Sequence, residues 1–172
     1  NSGYSSYLIF CNNSTGYLSM DYSYDQHFFK TTNEGFTWTR DTLHGEQLKL
    51  SFPTVDTGYF VGWGGVIYKT TNYGNNWLCI SSDYGNLDFA SEVLFTNENT
   101  GYITASDGYL FKSTNSGANW SANHIGNYNL GSIFFLNDQT GYIGCKYKPT
   151  GSFNKLFKTT NSGSSWDTIN LP

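Results

Sequence analysis

Apolar residues in this chain recur two positions apart, the period of a strand with one buried face. Leu8 and Phe10, Leu50 and Phe52, Val93 and Phe95, and Ile133 and Phe135 each stand eight and six residues before a Gly-Tyr pair. These four segments are read as strand a. The pairs Gly16-Tyr17, Gly58-Tyr59, Gly101-Tyr102 and Gly141-Tyr142 open a second strand, b, which continues through Leu18, Phe60, Ile103 and Ile143. Two residues on stand Met20, Gly62, Ala105 and Cys145, mostly small. A third strand, c, carries Phe28-Phe29, Ile67-Tyr68, Leu110-Phe111 and Leu156-Phe157 and ends at a Lys. A fourth, d, begins at a Trp. No segment holds a long 3.6-residue apolar face, so no helix is predicted.

The strands belong to a repeat. Lys30-Thr-Thr-Asn-Glu-Gly-Phe-Thr-Trp38 returns as Lys69 to Trp77, Lys112 to Trp120 and Lys158 to Trp166, with Trp-to-Trp steps of 39, 43 and 46 residues. The a–b turns end in Thr-Gly each time, and Gly is expected to supply their permissive backbone. Four short antiparallel strands per ~40 residues describe a β-propeller blade. Immunoglobulin-like units would need ~100 residues each, and solenoid coils would be shorter. The fold class expected is therefore all-β, a propeller of four-stranded antiparallel blades. Four lie in this chain, at about 1–45, 46–88, 89–129 and 130–172.

The c–d turns resemble the Asp-box, Ser/Thr-x-Asp-x-Gly-x-x-Trp, with Asn in place of Asp in all four copies. The residues are Asn33, Gly35 and Trp38; Asn72, Gly74 and Trp77; Asn115, Gly117 and Trp120; and Asn161, Gly163 and Trp166. Physically, the Asn side chain should cap turn N–H groups, Gly should take the strained position and Trp should pin the hairpin. With the flanking Gly-Tyr and Lys-Thr-Thr-Asn, the repeat is most similar to that of the photosystem II assembly-factor-like propellers, which also occur in secreted bacterial proteins. The resemblance implies a scaffold that holds partners, secreted or at the cell surface, with the c–d turns on the face opposite the binding site.

Charge narrows the partners. Nine basic and thirteen acidic residues give a net charge of −4, and charged residues are 13% of the chain against 19% aromatic. No basic cluster could neutralise several phosphates, which excludes a nucleic-acid binder. No apolar run approaches the ~20 residues of a membrane span, so no membrane insertion is expected. The chain opens on Asn1 without Met or an apolar signal segment, as a processed or excised chain would. Cys11, Cys79 and Cys145 are read as buried or half-buried thiols on strands. A Cys11–Cys145 bridge would require the first and last units to meet.

Catalytic chemistry finds little support. Sialidases clamp a carboxylate with three arginines, and Arg40 is the single arginine here. Other glycoside hydrolases need two opposed carboxylates about 5–10 Å apart. Asp21, Asp25, Asp83, Asp88 and Asp107 fall in the b–c and d–a loops without forming an evident pair. His27, His44 and His124 have no ligand spacing, so neither a metal nor another cofactor is expected. The same loops carry aromatics and amides suited to a peptide or a sugar. The candidate binding residues are Tyr24, Asp25, His44, Trp63, Tyr84, Asp107, Tyr128 and Tyr147. The expectation is a non-enzymatic scaffold that binds protein or glycan through this face. Its alternatives are a hydrolase segment and a structural subunit of an extracellular assembly.

One further expectation concerns closure. No blade is shared between the two ends, so the apolar faces of the first and last blades, at Leu8, Phe10, Ile133 and Phe135, should be left uncovered. Additional blades or self-association would then complete the propeller.

Overall fold

The computed structural model describes residues 5–22, 25–41, 49–62, 64–81, 87, 89–146 and 155–171. They form four antiparallel sheets of four strands, each a meander in chain order. The first sheet holds β1 (Ser5–Phe10), β2 (Gly16–Tyr22), β3 (Asp25–Thr31) and β4 (Thr39–Asp41). The second holds β5 (Lys49–Ser51), β6 (Gly58–Val61), β7 (Ile67–Thr70) and β8 (Leu78–Cys79). The third holds β9 (Ala90–Phe95), β10 (Gly101–Ala105), β11 (Tyr109–Ser113) and β12 (Ser121–His124). The fourth holds β13 (Asn129–Phe135), β14 (Gly141–Lys146), β15 (Lys155–Thr159) and β16 (Asp167–Asn170). These are propeller blades. The one helical turn among the described residues is a 3-10 turn at Ser106–Gly108.

The core lies between blades. Directly paired residues share a face of a sheet. In the first blade Leu8, Leu18 and Phe29 form one row, while Ile9, Tyr17 and Lys30 form a row on the other face. The Tyr row of each blade lies against the Leu/Phe row of the next, which gives three apolar clusters. Tyr17 and Phe28 meet Leu50 and Phe60; Tyr59 and Ile67 meet Val93, Ile103 and Phe111; Tyr102 and Leu110 meet Ile133, Ile143 and Phe157. Each such buried side chain contributes roughly 1.5–3 kcal/mol relative to exposure.

Every joint carries the same polar lock. Tyr17 stacks on Phe52 at 5.0 Å, Tyr59 on Phe95 at 4.0 Å and Tyr102 on Phe135 at 4.7 Å. Their hydroxyls donate to the carbonyls of Tyr73, Ser116 and Ser162 at 2.6, 2.6 and 2.7 Å. Lys30, Lys69 and Lys112, the cross-strand partners of those tyrosines, donate to the same carbonyls at 2.7, 2.9 and 2.7 Å. The lock is thus a Tyr–Lys pair from one blade closing on the c–d turn of the next.

The c–d turns are four copies of one structure. Asn33, Asn72, Asn115 and Asn161 accept, on Oδ1, the N–H of the residue four positions on, at 2.9 to 3.0 Å. The hydroxyl two residues earlier donates to the same oxygen and accepts the turn glycine's N–H. Gly takes a left-handed conformation, as expected, but so does the residue before it. Glu34, Tyr73, Ser116 and Ser162 have φ of 62, 58, 55 and 56°. In the last three, that residue's carbonyl is the one that receives the lock. Asn115→Ala removes an acceptor serving Asn119 N–H and Ser113 Oγ, so a loss of about 1 kcal/mol is expected, by analogy with helix caps. Urea unfolding of the purified variant measures it, and an unchanged midpoint would show the cap to be dispensable.

Three expectations need correction. The a–b glycines are not among the residues of positive φ. Their role is space, because a Cβ on Gly16 or Gly141 would come within 2.8 Å of the Phe10 or Phe135 ring. Cys79 is exposed rather than buried, because it lies on the outermost strand β8; all three cysteines are free. At the last blade, Ile133 is 6% exposed and Phe135 packs under Tyr102, because their row faces the third blade. The side chains left open there belong to the other face: Phe134 is 62% exposed.

Candidate binding site

Strands β1, β5, β9 and β13 are the first strands of their sheets, so each has a backbone edge not paired within its own sheet. Three of those edges are partly tied across blades. The Tyr7 hydroxyl donates to the Leu50 carbonyl at 3.1 Å, Phe95 N–H to Ser51 Oγ at 3.0 Å, and Thr104 Oγ1 to the Gly131 carbonyl at 2.6 Å. Between these strands runs a groove of about 390 Å³ lined by Tyr7 and Ile9, by Leu50 to Phe52, by Glu92 to Phe95, and by Ile133. All four blades contribute to it. Apolar walls with a few fixed polar groups are the usual make-up of a binding cleft.

The electrostatics concentrate at one end. Tyr7 and Glu92 sit near the start of their strands, at the d–a end, while Phe52 and Phe95 lie toward the a–b turns. Burial, and then the Glu92 carboxylate, hold the Tyr7 hydroxyl up to about 12. It therefore stays a neutral donor at physiological pH. Lys49 Nζ lies 4.7 Å from the Tyr7 ring centre, a cation–π contact.

Of the binding residues expected from sequence, Tyr24, His44, Trp63, Tyr84 and Tyr147 lie outside the described residues, as does the side chain of Asp25, which opens β3. Asp107 and Tyr128 are described, and they neighbour each other across the last joint. Asp107 has a φ of 52°, and its N–H donates to Asn129 Oδ1 at 3.1 Å. Tyr128 is half-buried, edge-on to Phe157 at 6.0 Å and beneath Lys155 Nζ at 5.0 Å. Both positions therefore also help fasten the third blade to the fourth. The groove residues Tyr7, Ser51 and Glu92 were missed, because sequence reading looked to loops and not to strand a. A polar residue interrupting the apolar row of an innermost strand was the available signal. Among the described residues no three His, Cys, Asp or Glu side chains gather as a metal site would require. No helix among them is long and apolar enough to cross a membrane.

Fold and groove define a β-propeller segment of four blades. Solved structures agree. YCF48 bound to D1 peptide superposes with a TM-score of 0.71 at 16% identity, covering 100% of this chain and 58% of that one. YCF48 from Cyanidioschyzon merolae gives 0.73 at 16% identity, covering 96% and 55%. An ancestral GH74 enzyme gives 0.61 at 21% identity, covering 74% of this chain and 18% of the enzyme. The chain thus spans a little over half the length of the two YCF48 chains. No protein-family model and no curated protein matches the sequence.

Proposed function

We propose that this chain is a non-enzymatic, secreted or cell-surface scaffold that holds an extended segment of a partner protein. The segment would lie in the groove along the innermost strands, entering from the b–c/d–a face. The observation that carries this reading is the groove itself: apolar walls from four blades, strand edges able to bond a peptide backbone, and Tyr7, Ser51 and Glu92 as fixed polar groups. The peptide bound to the similarly folded YCF48 supports it. A glycan is the second ligand class, favoured by the aromatic and amide content of the loops. Hydrolysis is disfavoured because the described groove lining holds one carboxylate, Glu92, where an opposed pair is needed.

Labelled extended peptides of differing side-chain chemistry and a panel of oligosaccharides, titrated by fluorescence anisotropy, test the proposal. Peptide binding should saturate and weaken roughly tenfold in Tyr7→Phe and Glu92→Gln, the scale of one polar contact, while circular dichroism stays native. Binding that neither substitution alters would remove the groove from the reading. Sugar turnover abolished by Asp25→Asn or Asp107→Asn would overturn its non-enzymatic part.

A further inference from the structure

Three polar side chains interrupt the apolar walls of the groove, and two of them, Tyr7 and Glu92, share its d–a end. The Tyr7 hydroxyl donates its proton to the Leu50 carbonyl at 3.1 Å, so what it turns to a ligand is an oxygen lone pair. Glu92 is half-buried on β9, opposite Thr104 of β10, and a carboxylate offers acceptors alone. The third, Ser51, is buried, and its Oγ accepts the Phe95 N–H at 3.0 Å, which ties it to the wall. The described lining holds no Lys or Arg. Lys49 Nζ stands over the Tyr7 ring, a contact in which the aromatic face also acts toward cations. The Glu92 charge reaches the Tyr7 hydroxyl, where it adds to burial in holding the proton on. That end of the groove is therefore rich in acceptors and negative.

These positions belong to joints that the chain completes. Tyr7 and Ile9 pack against the cluster of Leu50 and Phe60 in the second blade, and Ser51 ties the second blade to the third. The site does not depend on what covers the outer faces of the first and last blades. Charge in the neighbouring connections acts in the same direction. At the d–a and b–c end they carry, in sequence, Glu46, Asp83, Asp88 and Asp107 against Lys148, and the whole chain has a net charge of −4. Such a surface draws a basic segment inward over about a Debye length, ~8–10 Å.

We propose that the partner segment held in this groove carries a Lys or Arg side chain, seated against Glu92 and Tyr7, with apolar side chains along the walls toward the a–b turns. The inference rests on the reading of the groove as a peptide site and adds the chemistry of the segment. An ammonium or guanidinium supplies donors to both oxygens, and its bond to the carboxylate is charge-assisted. An acidic side chain at that place would set two carboxylates together, and like charges across an interface select against a partner. Glu92 and Phe95 are three steps apart on one strand, roughly 10 Å at ~3.3 Å per residue. The apolar side chains of an extended segment therefore fall two or three positions from the basic one.

Labelled, end-blocked peptides Ser-Leu-Ser-X-Ser-Leu-Ser, with X as Lys, Arg, Met or Glu, test this by fluorescence anisotropy on the whole chain. Leu stands on both sides of X, so either chain direction can be read. The Lys and Arg peptides should bind about tenfold or more tighter than the Met peptide, the scale of one charge-assisted contact, and the Glu peptide should bind weakest. The gap should narrow as salt rises from about 0.05 to about 0.5 M. Glu92→Gln, which keeps the side chain's shape, should level the Lys and Met peptides, and Glu92→Lys should reverse the order of the Lys and Glu peptides. The comparison on the parent chain decides the matter even where a variant folds poorly. Equal affinity for all four peptides would overturn the basic residue, and weaker binding in Tyr7→Phe would then show that the groove itself still stands. A preference for basic peptides that Glu92→Gln leaves unchanged would overturn the site assigned to it. Binding of none of the four would remove the groove reading and this inference together.

Discussion

Truncating Tyr59 to Ala should cost about 3–5 kcal/mol, the range for emptying a large aromatic site in a packed interior. The ring is fully buried and stacks on Phe95 at 4.0 Å, and its hydroxyl serves the Ser116 carbonyl. Lys69 still donates to that carbonyl after truncation, so the hydroxyl's share is small and Tyr59→Phe should cost only about 1 kcal/mol. The same truncation at the equivalent Tyr142, which is half-buried and has no hydroxyl partner among the described residues, should cost less. Urea unfolding compares the three. Because repeat arrays are held by nearest-neighbour contacts, Tyr59→Ala should also split unfolding into two phases at the second joint. Equal costs at Tyr59 and Tyr142 would contradict a joint in which the Tyr reads only the following blade.

The architecture was legible because each blade repeats its cues four times. A single Gly-Tyr or Asn-x-Gly is weak, yet the fixed steps from Phe10 to Gly16 and from Lys30 to Trp38, each repeated in all four units, left one solution. The linkage between blades was not legible. Nothing in the spacing shows that Tyr17 reaches Tyr73, 56 residues on, because the contact crosses from one sheet to the next. The constancy of Tyr and Lys could have signalled it, since a solvent-facing Lys on a strand has no reason to recur at four equivalent positions. The uncovered side chains of the last blade were misplaced for a related reason. Period two says which residues share a face but not which face meets which neighbour, so Ile133 and Phe135 were chosen where Phe134 was correct. The candidate groove was invisible for want of any motif: Tyr7, Ser51 and Glu92 come together only when the innermost strands of three blades converge.

The same joints set an upper limit in pH. Burial holds the hydroxyls of Tyr59 and Tyr102 up to about 12, with the Asp138 charge adding to the effect at Tyr102. Tyr7 is held up to about 12, and Tyr17 is also raised, by burial first and then by Cys11 and Asp41. An unfolded Tyr ionises near pH ~10. These hydroxyls therefore contribute stability that is fully present below that value and lost as pH climbs toward their folded values. Lys30 and Lys69 act in the opposite sense, because burial lowers their pKa and rising pH relieves the cost of charging them. Four raised tyrosines outweigh two lysines, so the fold should fail cooperatively between pH ~10 and ~12, with tyrosinate absorbance appearing together with loss of the β-sheet circular dichroism signal. Tyr59→Phe/Tyr102→Phe removes two of the titrating groups along with two hydrogen bonds. That variant should be less stable than the parent at neutral pH, yet lose less of its stability over the alkaline range. Parallel stability–pH curves for the two proteins would show that the joint tyrosines do not control the alkaline transition.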